Sequence, residues 1–389
     1  MATLDAHAPM GTLGGSNLPP GLLHAEMGLA RSPFMMFRPR PIAYLVSIAL
    51  ACSCGFDPDV GADSMELSAE SLGLLQEQDA PPEVEAQLRS ALNQQFGSIL
   101  SPRFPDAFAA SGPGMGSELE VAARLYRGQC MHCHGVEGGG DGRSAYFLTP
   151  PPTDFRPGTF KWTELERNHP PRVEDIEQSL KRGVPFTSMP SFSRLTDPQL
   201  TGLAQVVRWL AARGQVERWL VAEWVQAGGE ELPASGVEAT VLAVAEGWNE
   251  SAQHLVLPVQ EPAPEDMGLE RIERGRLLYF GELARCVACH GEQLEGDGPA
   301  VFQTIIDSDG ASRQERVPDE WGIPSRPRDL RQAGFRGGSS PLDLYRRIRV
   351  GISGSIMPGA SESLDEEAIW DLVYFVLSEA GLHQTGENR

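Results

Sequence analysis

The sequence contains one set of short motifs twice. Residues 130–135 read CMHCHG and residues 286–291 read CVACHG, and a Gly-Asp-Gly follows each at the same offset. Further on, a Pro-X-Asp element and a glycine-containing loop that ends in Met-Pro recur in the same order. Because several separate motifs repeat with matching order, we predict two copies of one domain.

The repeated cysteine pair with a histidine directly after it is typical of covalent haem attachment. Two cysteines about one helical turn apart place both sulfurs on one side, where they can form thioethers with the two vinyl groups of a porphyrin. The histidine that follows is held beneath the iron as its proximal ligand. The sequence therefore predicts two covalently bound haem c groups, held by Cys130, Cys133, His134, Cys286, Cys289 and His290.

A Cys-X-X-Cys pair has two other interpretations. A zinc half-site needs further cysteine or histidine ligands, and no third cysteine lies near either copy. A thioredoxin-like redox pair needs no histidine directly after it and accompanies a β-α-β pattern, which this chain does not show. Both are disfavoured, and His132, inside the first motif, is predicted to face solvent.

The second axial ligand of each iron is predicted from the repeated Met-Pro element. Met189 and Met357 each follow a glycine-containing loop and precede a proline and a helix. A methionine in such a place is more often a core residue, but its recurrence at the same position in both copies favours iron ligation. Methionine opposite histidine raises the reduction potential and closes the iron to outside ligands.

The repeats define an all-α chain with two tandem domains, at 117–228 and 264–389. Residues 229–263 carry six acidic residues and no lysine or arginine, and are predicted to form an irregular acidic linker with short strands near Val241 and Leu255. Residues 55–116 are predicted to form an acidic tether that contains one short helix, at residues 82–95.

Each copy is predicted to close with a capped amphipathic helix. Residues 196–199 read TDPQ and residues 363–366 read SLDE, and both have the pattern of a capping box. The helices are predicted to end near Gly214 and Gly381, because glycine commonly follows the last turn of a helix.

The first 54 residues are predicted to be a targeting segment and not part of the fold. Arg38 and Arg40 precede an apolar run at 42–51, which is too short to span a bilayer and is typical of a secretory signal. The run resembles a bacterial lipoprotein signal, which makes Cys52 a candidate for lipidation. We therefore expect an exported, periplasmic protein tethered to the membrane; an uncleaved N-terminal helix is the alternative.

The charge distribution limits the kinds of partner. A formal net charge of -21 excludes a nucleic-acid binder held by phosphate contacts. Residues 117–228 carry 13 basic and 13 acidic side chains, whereas residues 264–389 carry 14 basic and 22 acidic ones. The acidic second domain is expected to dock a basic partner; simple solubility is the alternative explanation of the charge.

Both copies resemble the class I cytochrome c domain, over roughly 117–225 and 265–385. In that family an N-terminal helix crosses a C-terminal helix, and a methionine loop closes the haem pocket. The first copy is similar to the small cytochromes that accompany bacterial respiratory complexes and quinol-oxidising assemblies. The resemblance implies an electron-transfer role, with redox partners such as a quinol-oxidising complex or a terminal oxidase.

The expected function is therefore an electron carrier and not an enzyme, passing single electrons between respiratory partners at the outer face of the inner membrane. One alternative is a di-haem peroxidase-like enzyme, in which one iron must have an open distal position. Another is a cytochrome subunit of a dehydrogenase. The paired Met-Pro elements favour a carrier over a peroxidase.

Overall fold

A computed structural model of the protein describes residues 65–108, 115–229, 234–263, 266 and 268–382, which all lie in one compact unit. The targeting segment and Cys52 lie outside the described residues. In chain order, the first seven helices are α1 (Ala69–Glu77), α2 (Pro82–Phe96), α3 (Met115–Gln129), α4 (Met131–His134), α5 (Val173–Arg182), α6 (Asp197–Gln226) and α7 (Ala234–Glu250).

The remaining elements are α8 (Leu269–Phe280), α9 (Val287–His290), β1 (Phe302–Ile306), β2 (Ser312–Arg316), α10 (Pro341–Val350) and α11 (Glu366–Glu379). The two strands form an antiparallel hairpin with Phe302 opposite Arg316. The described chain is thus about half helical with little sheet, and the hairpin departs from the predicted all-α class. Among the described helices, none is long and apolar enough to cross a membrane.

The core of the first domain is built around α6, which packs against α3 as the cytochrome c resemblance implies. The helix starts at the predicted cap, where the Thr196 N–H donates to the Gln199 side chain at 3.0 Å. The predicted end near Gly214 is wrong, because α6 continues to Gln226. Gly214 lies inside the helix against Arg156, and a Cβ there would collide with that side chain.

The predicted tether is wrong for residues 65–108, although its short helix is confirmed as α2. Val84, Leu88 and Leu92 recur at four-residue steps and are buried in the same core as α6. The buried Trp209 indole N–H donates to the carbonyl of Phe96 at 2.9 Å. An acidic composition thus describes only the exposed face of this segment, and its apolar face belongs to the first domain.

The predicted irregular linker is also wrong over much of its length. Residues 234–250 form α7, in which Val241, Val244, Ala245 and Trp248 are buried against the first domain's core. These positions follow a helical spacing. The acidic side chains of α7, which contributed to the prediction of an irregular linker, are exposed. The predicted strand near Leu255 is reduced to a single antiparallel bridge between Leu255 and Leu165.

In the second domain α8 crosses α11. Gly275 lies at the crossing, where a Cβ would collide with the backbone carbonyl oxygen of Asp371. The predicted capping box at residues 363–366 is wrong, because Asp365 is the N-cap and accepts from the Ala368 N–H at 2.9 Å. The predicted helix end is confirmed, with Gly381 in the left-handed region at φ +67°.

Candidate haem-binding sites

The two motif histidines lie at the ends of the short helices α4 and α9. His134 Nδ1 lies 3.2 Å from the carbonyl oxygen of Thr153, and His290 Nδ1 lies 3.2 Å from that of Arg328. Both carbonyls belong to the repeated Pro-X-Asp element, at residues 152–154 and 327–329. With Nδ1–H donating to a carbonyl, the tautomer is fixed and Nε2 is left with a free lone pair for a metal.

Both imidazoles are held in the neutral form that a metal ligand requires. Burial lowers the pKa of His134 to about 4, and burial also lowers the pKa of His290. The ring of Phe155 stacks on His134 with 4.6 Å between ring centroids. His132, in contrast, is exposed to solvent as the motif predicts.

The Gly-Asp-Gly element packs against the end of each motif helix. Gly140 N–H donates to the carbonyl of His134 at 3.0 Å, and Gly296 N–H donates to that of His290 at 2.9 Å. Gly140 has φ +74°, and a Cβ there would lie 2.5 Å from the carbonyl oxygen of Pro152. Glycine is therefore needed for the Pro-X-Asp chain to approach the histidine closely.

Two tyrosines contribute to the sites in a way that the sequence analysis missed. Tyr126 OH donates to the carbonyl of Gly135 at 2.9 Å, and Tyr279 OH donates to that of Gly291 at 2.7 Å. Both rings are buried, and each glycine directly follows the ligand histidine. Each tyrosine precedes the first cysteine of its motif in the sequence. The number of residues between the tyrosine and the cysteine differs between the two copies, so aligning the motifs does not reveal the pair.

The methionine loops are closed by a hydroxyl two residues before each methionine. Met189 N–H donates to Thr187 Oγ1 at 3.1 Å, and Met357 N–H donates to Ser355 Oγ at 3.2 Å. Each hydroxyl donates in turn to a carbonyl earlier in its loop, at 2.8 and 2.9 Å respectively. This hydroxyl position also repeats in the sequence, and it was not recognised there as functional.

One continuous cavity of about 2100 Å³ runs between the two sets of motifs. Its volume is more than twice the upper end of the range of roughly 300–1,000 Å³ for small-ligand pockets, so two large groups can be accommodated. The cavity is lined by all of the predicted cofactor residues: Cys130, Cys133, His134, Met189, Cys286, Cys289, His290 and Met357.

The cysteines lack the lowered pKa that marks a reactive thiolate. Burial raises the pKa of Cys130 to about 12 and that of Cys286 to about 11. Catalytic and redox cysteines have lowered pKa values, in electropositive surroundings. The four thiols in the described chain are free of disulfides, as thioether formation requires.

Two arginines of the second domain offer buried donors to the cavity. Arg328 and Arg347 both line it, and the Nε atom of each is buried without a hydrogen-bond partner in the part of the chain that the structure describes. Buried polar groups are nearly always paired, so these donors are suited to an anionic group in the cavity. The carboxylate of a haem propionate has the required charge and acceptor oxygens.

The methionine loop of each domain contacts the other domain. Arg167 donates to the carbonyl of Met357 at 2.8 Å, and Arg336 donates to that of Pro185 at 3.1 Å. The guanidinium carbon of Arg328 lies 3.9 Å from the ring centroid of Phe186. Because Phe186 belongs to the first loop and the carbonyl of Arg328 orients His290, these contacts connect the two sites directly.

Comparison with known families identifies the class of protein. Residues 117–207 match the family model described as cytochrome c oxidase, cbb3-type, subunit III, and residues 272–380 match the cytochrome c model. The chain carries two cytochrome c domains in tandem. The predicted resemblance is confirmed, and the function of such domains is haem-based electron transfer.

A solved structure is also similar to the chain. A chain of the reducing HAO-like protein complex of Kuenenia stuttgartiensis is 26% identical, with 67% of this chain and 96% of that chain covered and a TM-score of 0.49. No curated protein matches the sequence significantly. The assignment of individual ligand residues stays a prediction, which the experiments below test.

Proposed function

We propose that this protein is a di-haem electron carrier that binds two covalent haem c groups and passes single electrons between redox protein partners. The observation that carries this proposal is the single cavity, because its lining includes two complete sets of cysteine, histidine and methionine. A shared cavity allows electrons to pass from one haem to the other within the protein. Haem supplies one-electron chemistry at its iron.

The residues of the chain have complementary roles in this proposal. His134 and His290 would hold the iron through Nε2, since Nδ1 is engaged by a backbone carbonyl. Met189 and Met357 would supply the second protein ligand of each iron and so keep small ligands away from it. Their loops are closed by the same hydroxyl contacts, which favours two closed sites and therefore a carrier over a peroxidase-like enzyme.

The cellular setting is part of the proposal. We infer an exported protein at the outer face of a bacterial inner membrane, tethered through Cys52 after the signal at residues 38–51. The match of residues 117–207 to a cbb3-type oxidase subunit supports a terminal oxidase as a partner. A quinol-oxidising complex is the corresponding electron donor, and the acidic second domain is suited to a basic partner.

Haem content and spin state test the proposed function. The purified protein should retain two haems per chain after acid–acetone extraction. In the oxidised protein both haems should be low-spin at neutral pH. In the reduced protein neither haem should bind carbon monoxide. One haem or none in the pyridine haemochrome assay would reject the di-haem carrier. A high-spin haem that reacts with peroxide would instead support the enzyme alternative.

Mass spectrometry of the mature N-terminus tests the proposed location separately. A diacylglyceryl group on Cys52 is the expected result. A mature chain that starts after residue 52, or one that retains residues 1–34, would contradict the tether while leaving the electron-transfer proposal intact.

A further inference from the structure

Outside the haem cavity, three metal-binding side chains meet where the first domain contacts the connector between the domains. Glu166 and His169 lie before α5, and His254 lies after α7. One ligand atom of each residue lies within 4.8 Å of the others. The two imidazole rings are stacked with 3.4 Å between centroids and 13° between planes, and His254 Nδ1 lies 3.7 Å from a Glu166 carboxylate oxygen.

Backbone pairing holds these side chains together. Leu165 and Leu255 form an antiparallel bridge, and the Glu166 N–H donates to the carbonyl of His254 at 2.9 Å. Leu165 is buried, so its segment is anchored in the core while its neighbours reach the surface. The backbone therefore holds the segments of Glu166 and His254 side by side.

The donor set fits a borderline-soft divalent ion once the two stacked imidazoles rotate, because a metal binds in the plane of each ring and the stacked planes do not converge on one point. Two imidazoles and one carboxylate form the ligand set of many zinc sites, and these sites keep a fourth position for water. The Glu166 side chain is 63% exposed and that of His254 is 32% exposed, so water can reach such a position.

We propose that Glu166, His169 and His254 bind one zinc-class divalent ion. The site is separate from the haem ligands and uses none of their side chains. An ion here would link the segment before α5 to the connector after α7.

The position of this site gives the ion a structural role. Arg167, between two of the ligands, donates to the carbonyls of Met357 at 2.8 Å and Ser355 at 3.3 Å. The backbone N–H of Asn168 donates to Ser353 Oγ at 3.2 Å. The ion would therefore stabilise the segment that holds the second methionine loop against the first domain.

Calorimetric titration of the full-length, haem-loaded protein with zinc, after removal of bound metal by a chelator, tests the proposal. We expect one zinc ion per chain. His169→Ala and His254→Ala should each weaken binding at least about 100-fold, since losing even an outer-shell partner costs roughly 10- to 100-fold. Glu166→Gln should weaken it less, and the exposed Glu246→Gln on α7 is the matched control that should leave it unchanged.

Thermal unfolding gives a second measurement that does not depend on comparing affinities. Saturating zinc should raise the unfolding midpoint of the wild type and of Glu246→Gln, because a ligand that binds only the folded state stabilises it. It should not raise the midpoint of His254→Ala. Absence of zinc binding by the wild type would overturn the proposal, as would equal binding by the wild type and all three ligand variants.

Discussion

In the first cytochrome c domain, α6 extends to Gln226 and packs against α1, α2 and α7. In the second domain, α11 ends at Glu379, and the domain contains the two-stranded hairpin of β1 and β2. The contacts at the two sites nevertheless match. Each has a tyrosine bound to a glycine carbonyl, a histidine bound to a Pro-X-Asp carbonyl, and a hydroxyl that closes the methionine loop. The shared contacts are those that hold the cofactor residues, and the supporting structure around them is free to differ.

The largest difference between the domains is expected at their helix crossings. Gly275→Ala places a methyl group against the Asp371 backbone carbonyl and should destabilise the second domain by about 3 kcal/mol, since overpacking a tight contact forces the backbone to shift. At the first crossing a Cβ on Gly202 would lie 2.9 Å from Ala122 Cβ, a milder contact. Gly202→Ala should cost about 1 kcal/mol or less, because alanine's higher helix propensity offsets part of the strain.

Thermal unfolding followed at the haem absorbance would measure both changes. Equal losses in the two variants, or a stable Gly275→Ala protein, would contradict the interpretation of the second crossing.

The tyrosine contacts should be equivalent in the two domains. Tyr126→Phe and Tyr279→Phe each remove the donor to a buried glycine carbonyl, so each should cost about 1–2 kcal/mol, the usual penalty for an unsatisfied buried polar group. Denaturant unfolding of the two variants beside the wild type is the measurement. A clear loss in one domain and none in the other would show that the contact is not a shared requirement.

The two haems should differ in reduction potential because of the cavity arginines. Arg347 lies four residues before Gly351, the glycine of the second methionine loop. The corresponding residue of the first domain, four residues before Gly183, is the uncharged Ser179. Burial lowers the pKa of Arg347 to about 10, which leaves it charged at pH 7. A positive charge favours the reduced, less positive iron, so Arg347→Gln should lower the potential of one haem by on the order of 50 mV.

Spectroelectrochemical titration of both haems would measure this shift. Arg313→Gln removes the same charge from the exposed hairpin and is the matched control. Equal shifts in the two variants would show that only overall charge matters and not the position of Arg347.

The smallest effect is expected from the surface charges near the second methionine loop. Glu362, Asp365 and Glu367 are exposed, but the Glu366 carboxylate accepts from the backbone N–H groups of Val259 and Gln260 and so belongs to the folded connector. We therefore assign the docking surface to Glu362, Asp365 and Glu367 and leave Glu366 out of it.

Replacing the three exposed acids by Gln, Asn and Gln should flatten the salt dependence with which a small basic cytochrome is reduced, because surface charge sets the encounter rate. The matched control neutralises three exposed acids of α7, Glu238, Glu246 and Glu250. An unchanged salt dependence in the first variant would contradict docking at this face.

The sequence predicted which residues line the cavity better than it predicted the supporting fold. These residues belong to motifs that repeat with matching order, so they can be found from spacing alone. The Thr187 and Ser355 hydroxyls escaped notice because their role depends on the turn geometry of the loop, which spacing alone does not reveal.

The errors came from judging segments by composition. Residues 65–108 and α7 are acidic overall, yet each has one apolar face that packs on α6. The length of α6 was underestimated because Gly214 suggests a helix end when only local signals are considered. In the structure that glycine permits close packing on Arg156, a long-range contact that no local pattern encodes.

The central claim is that two equivalent histidine–methionine sites bind haem in one chain. It is tested most directly by the sulfur-to-iron charge-transfer absorbance of the oxidised protein, near the red end of the spectrum, in the wild type, Met189→Leu and Met357→Leu. We predict that each substitution removes about half of the band and opens one haem, and only one, to carbon monoxide when reduced. A band of full intensity in either variant, or a wild-type haem that already binds carbon monoxide, would contradict the claim.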